Sequence, residues 1–163
     1  MGLGPTLHVG ATFPGDAGAS YFASALSLTD RRAESPTINC TGRYTITMRF
    51  LYIMAGQTGA DYATVWYYDG VTWSLLASPA QTAPICPPVG GVVQGLWTAY
   101  SVALPVSANN NPNVKIGFRW VNNADATGTD PSFAVDSISL NATSSTATPV
   151  PSYTVTPSLT VCA

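Results

Sequence analysis

Charge is what this sequence has least of. Acidic and basic residues together occupy 9% of its 163 positions, against roughly 25% in an ordinary globular domain. Thr, Ser, Asn, Gly and Pro fill the difference, so the surface must be built largely from neutral polar groups. Six Lys and Arg against eight Asp and Glu leave a formal net charge of -2. A chain with no basic field has nothing to hold a phosphate backbone, which argues against nucleic acid as a partner. An unbroken apolar run is missing as well. Between Val71 and Val114 there is no charged residue or histidine, but Pro79, Pro84, Pro87, Pro88 and Pro105 interrupt that span, so no membrane helix is expected. The opening MGLGPTLHVG has neither the basic start nor the apolar core of a secretory signal. The chain therefore reads as a piece of something longer, or as one exported by another route.

Catalytic constellations are also wanting. The one histidine, His8, stands in a Gly-rich start without a Ser and Asp context, and no GxSxG, HExxH or CxxC occurs. A carboxylate pair such as Asp61 with Asp136 has no spacing logic behind it. No enzyme is expected. Of three cysteines, Cys162 lies at the extreme end, which leaves Cys40 and Cys86 as the expected disulfide. The bridge would close a long loop and contribute about 4 kcal/mol in the chain-entropy model. Two free thiols in a reducing compartment are the alternative.

What is present is strand periodicity. Nowhere do apolar residues recur with helical spacing over three turns. Tyr44, Ile46, Met48, Phe50 and Tyr52 alternate with Thr45, Thr47 and Arg49, and Tyr100, Val102 and Leu104 follow the same period of two. Val114, Ile116, Phe118 and Trp120 alternate with Lys115, Gly117 and Arg119, so that strand has one buried face and one wet one. In FAVDSISL, Val135 and Ile138 cannot share a face without an extra residue, and a bulge at Asp136 and Ser137 repairs the pattern. DYATVWYYDGVTWSLL is a hairpin turning at Asp69 and Gly70, through two residues or four. TDRRAESP, at residues 29–36, carries four charges and reads as a solvated loop, and a short strand is expected at residues 20–26. Short strands punctuated by Gly, Pro, Asn and Asp are the signature of an all-β antiparallel sandwich of jelly-roll type. It should occupy residues 1–140, followed by a Ser/Thr/Pro linker over 141–151. Residues 152–163 then resemble the opening strand of a following domain, or a strand for exchange with another copy.

Three features invite chemistry. Either hairpin register puts Trp66, Tyr68 and Trp73 on one face, where they form either a platform for stacking sugar rings or part of the core. The loop NNADATGTD offers Asn123, Asp125, Thr127 and Asp130, with Asp136 or Asp61 available from outside, as oxygen ligands for calcium. The same residues are ordinary turn formers. Asp136, inside an apolar strand, needs a partner if it faces inward, and Arg49 and Arg119 are the candidates.

The blocks SPTINCTGRYTITMRFLYI, DYATVWYYDGVTWSLL, GLWTAYSVALP, NNNPNVKIGFRWVNN and DPSFAVDSISL, in that order, resemble the jelly-roll modules, akin to MAM and carbohydrate-binding domains, of large secreted Bacteroidota surface proteins. The tail TVTPSLTVCA is similar to the first strand of the immunoglobulin-like or PKD-like repeats that follow such modules. The resemblance covers about two thirds of the chain and brings no catalytic residues. It implies type IX secretion, an extracellular or cell-surface location, and a role as an adhesin or carbohydrate-binding module that engages a surface glycan or protein ligand. Assembly of copies into a filament through residues 152–163 is the competing expectation.

Overall fold

In the computed structural model, residues 6–10, 28–82, 96–123, 125–129 and 131–144 are described. The alternation seen in the sequence resolves there into eight strands: β1 (Leu7–Val9), β2 (Thr29–Glu34), β3 (Arg43–Ile53), β4 (Tyr62–Tyr68), β5 (Trp73–Ala77), β6 (Thr98–Ala103), β7 (Lys115–Asn122) and β8 (Phe133–Ser144). They form two four-stranded sheets, β1-β8-β3-β6 and β2-β7-β4-β5, and every pairing is antiparallel. Strand β1 pairs with β8, β2 with β7, β3 with β6 and β4 with β5. The pairs nest, so the chain is one long hairpin rolled over itself, which is the jelly-roll winding expected from the sequence.

The inner faces carry the alternating apolar residues. Ile46, Met48, Phe50 and Tyr52 of β3 meet Val65 and Tyr67 of β4 and Ile116, Phe118 and Trp120 of β7, all buried. Phe50 and Phe118 lock the two sheets together edge to face at 5.4 Å between ring centroids. Phe118 in turn meets Phe133 at 5.9 Å. Aromatic pairs in this geometry stabilise a core beyond the apolar area they bury.

Three departures from the expected pattern have local causes. Residues 29–34 are not a loop but the edge strand β2, paired with β7 from Thr29↔Asn122 to Glu34↔Gly117. Its charges misled because an edge strand tolerates and even favours them on its open side. Tyr44 is exposed rather than inward, because Thr45 takes φ 50° and the β3–β8 register shifts between Tyr44 and Thr47. Strand β8 runs to Ser144, four residues beyond the expected boundary at Leu140, paired with Arg43 and Tyr44. The β4–β5 turn takes the longer of its two expected lengths, four residues, with Tyr68 pairing with Trp73, and Asp69 Oδ1 accepts the N–H groups of Val71 and Thr72 at 2.8 Å each. Those two bonds hold the Asp69 carboxyl below its ordinary value.

The bulge in β8 lies where the sequence placed it. Leu51 pairs with Asp136 and Arg49 with Ser139, which leaves one residue too many on β8, and Ser137 absorbs it at φ 52°. Cys40 is a buried free thiol, and burial pushes its pKa up. Its expected partner Cys86 lies outside the described residues, as do the strand at 20–26, most of the proline-rich connection and everything after Ser144.

Candidate binding face and loop end

Val65 and Tyr67 turn into the core, so Trp66 and Tyr68, their neighbours in β4, must turn out. The cross-strand pairs Trp66↔Leu75 and Tyr68↔Trp73 put Trp73 and Leu75 beside them. The aromatic group foreseen in the sequence is thus on the solvent face of the β2-β7-β4-β5 sheet. Tyr68 and Trp73 lie 5.2 Å apart at 37°, Leu75 is 56% exposed, and the Trp66 indole N–H donates to Thr64 Oγ1 at 2.9 Å.

Cations thread this face. On β7 the outward residues are Lys115, Gly117 and Arg119, and on β2 they are Asp30, Arg32 and Glu34, as the register dictates. Gly117 is the hollow at the centre: a Cβ there would come within 2.9 Å of Arg32 Cδ and 3.1 Å of Trp73 Cζ3. Without that side chain, Arg32 lies across β7 and sets its guanidinium 4.1 Å from the centroid of Trp73 and 6.0 Å from that of Trp66. Arg119 stands 5.9 Å from Trp66, and Lys115 Nζ 5.9 Å from Tyr68. Each contact is within cation–π range.

Two of the three cations are held by carboxylates. Arg119 Nε and Nη2 donate to the two oxygens of Asp30 at 2.7 and 2.6 Å, a bidentate fork. This bond lowers the Asp30 pKa and raises that of Arg119. Arg32 Nε and Nη2 both donate to Glu34 Oε1, at 3.0 and 2.7 Å. Sequence reasoning found the aromatics and missed Arg32, Gly117 and Lys115 as their companions. Alternation did mark Lys115, Gly117 and Arg119 as outward, but nothing local said that β7 would lie between β2 and β4.

The oxygen-rich loop joins β7 to β8 at one end of the sandwich. Asn123, Asp125 and Thr127 are chained by their own bonds: Asn123 Nδ2 donates to Asp125 Oδ2 at 3.0 Å, the Asp125 N–H to Asn123 Oδ1 at 3.2 Å, and the Thr127 N–H to Asp125 Oδ1 at 2.9 Å. Bonds from Asn123 and Thr127 lower the Asp125 pKa. Asp61 joins them from the β3–β4 loop. It is 2% exposed, and its carboxylate accepts the N–H groups of Asn123 and Gln57 at 3.2 Å each. Next to this group Ala55 and Gly56 donate to the carbonyls of Pro131 and Thr129. Gln57 Oε1 and Ser132 Oγ are buried there without a partner. Asp130 lies outside the described residues. Asp136 is not at this end: it lies on the outward face of β8 at the bulge and accepts the N–H of Ser137. Nor does it face inward toward Arg119, which is taken by Asp30. Among the described residues no three His, Cys, Asp or Glu side chains converge on a metal-sized site, and no helix is long and apolar enough to cross a membrane.

No protein-family model and no curated protein matches the chain. Among solved structures it is similar to the K3 cleaved adhesin domain of Lys-gingipain from Porphyromonas gingivalis, at 14% identity and a TM-score of 0.45, over 83% of this chain and 70% of that one. A likeness at that level carries no argument about activity, which has to be read from the chain's own geometry.

Proposed function

We propose that this chain is a non-catalytic binding module of a larger exported, cell-surface protein, and that the outward face of the β2-β7-β4-β5 sheet engages a polymer, in the first place a glycan. The observation that carries the reading is the position of Trp66, Tyr68 and Trp73. Large aromatics in a sandwich belong inside, and here three of them lie half-buried on the outer face of a sheet beside the exposed Leu75. Such a surface offers ring faces and edges to the C–H groups of sugars. Glycan-array binding of the native protein, compared with Trp66→Ala and Trp73→Ala, tests it. The expected result is binding reduced at least tenfold in both variants, with melting temperatures little changed. Binding that survives both substitutions moves the site elsewhere.

The loop end is proposed as a calcium site. Support comes from an all-oxygen donor set in Asp61, Asn123, Asp125 and Thr127, beside the buried unpartnered oxygens of Gln57 and Ser132. A bound ion would pin the β3–β4 loop to the β7–β8 loop. Calcium should then raise the melting temperature above its value in chelator, and Asp61→Asn should abolish the increment. Identical melts with and without calcium end the proposal.

A further inference from the structure

Resting on the reading of the aromatic face as a glycan site, we infer that its ligand is an acidic saccharide, one whose sugar rings carry carboxylates. Arg32, Arg119 and Lys115 place three positive charges among the three aromatics. Glu34 and Asp30 neutralise two, which leaves the face with one uncompensated cation on a molecule whose total charge is -2.

The cations also keep unspent hydrogen-bond donors. A guanidinium has five N–H donors. Arg32 uses Nε and Nη2 on Glu34 and Arg119 uses Nε and Nη2 on Asp30, so Nη1 of each remains to donate. Lys115 Nζ lies beside Tyr68 with no carboxylate partner among the described residues. The Trp66 N–H is already donated to Thr64. A ligand seated on Tyr68 therefore meets the unpaired Lys115 ammonium, and gains by supplying it an acceptor. Neutral hydroxyls can do so weakly, whereas a ring carboxylate does so with a charge-assisted bond of about twice the strength.

Tyr68 and Trp73 form one contiguous surface, with Lys115 beside the tyrosine and Arg32 stacked over the tryptophan, which leaves the tyrosine as the ring open to a sugar. A sugar stacked on Tyr68 would have its substituents within reach of Lys115, which makes Lys115 the residue that discriminates acid from neutral sugar. The carboxylates of Glu34 and Asp30 act indirectly, as positioning residues that hold the guanidinium planes.

The test is titration calorimetry with an oligogalacturonate and with the same oligosaccharide methyl-esterified, at low and moderate salt, on the native protein, Lys115→Gln and Trp66→Ala. The acid should bind about tenfold more tightly than the ester. That preference should shrink with added salt and vanish in Lys115→Gln, while Trp66→Ala weakens both ligands. Because the whole molecule is acidic, a general field would repel a polyanion, so any preference for the acid is local. Equal affinities, or a preference that persists in Lys115→Gln, overturn the inference and leave the glycan face standing. Absence of binding by either oligosaccharide, together with an array showing none, overturns both.

Discussion

Gly56 holds the loop end together at the level of a single hydrogen. Its φ is 89°, and a Cβ would fall 2.8 Å from the Trp120 ring and 2.9 Å from Asp61 Cβ. Trp120 is fully buried and Asp61 is fixed by two backbone bonds, so neither can withdraw. Gly56→Ala should therefore cost about 3 kcal/mol, strain and overpacking together, read as a loss of denaturation midpoint. Asp30 offers a milder test. Its folded pKa is depressed by Arg119, so its stabilising effect is present above the ordinary carboxylate range of about 4 and is lost as pH falls through the depressed value. The pair is half in solvent, which limits the effect to about 1 kcal/mol or less. Tryptophan emission should shift over that acid window as Arg119 leaves Trp66, and Asp30→Asn should erase the step. Residue types alone revealed the aromatics as a candidate, because i, i+2 parity is a local property. The cations that accompany them were hidden, since their meeting depends on which strands become neighbours.

At the level of strands, the bulge in β8 shows how much an alternation pattern can disclose. Val135 and Ile138 required an extra residue between them, and Ser137 supplies it at φ 52°. A β-branched side chain is a marked misfit at positive φ, whereas two residues on, at Ser139, the strand is regular and opposite Arg49. Ser137→Val should destabilise by about 1 to 2 kcal/mol and Ser139→Val by less than about 0.5, compared in parallel urea titrations. Equal effects would remove the bulge from consideration. Strand β2 was illegible for the opposite reason. Four charges in eight residues look like a loop until an edge position gives Asp30, Arg32 and Glu34 an outward side. Asn141–Ser144 of β8 hid in a Ser- and Thr-rich composition that says nothing to bury, and they are indeed exposed; backbone pairing with β3, rather than burial, makes them strand.

For the molecule as a whole, the nested pairing decides how it meets load. Strand β1 is antiparallel to β8, with Leu7 opposite Val135 and Val9 opposite Phe133. Travelling from Val9 back to Leu7 is therefore the same direction as travelling from Phe133 toward Ser144. Leu7 stands opposite Val135, well short of Ser144, so tension between Leu7 and Ser144 is directed along β8 and loads the β1–β8 ladder in shear, and β1 has only three residues to resist with. Behind it β8 is laid along β3 from Ile53 to Arg43. Optical-trap extension with handles flanking Leu7 and Ser144 should show a small early release followed by a larger rupture, whereas a single high-force event would mean that the first strand is not the weak seam. Strung in series, as the proposed surface role implies, such a module would lengthen by a few residues under modest pull while its aromatic face, on the other sheet, stays assembled.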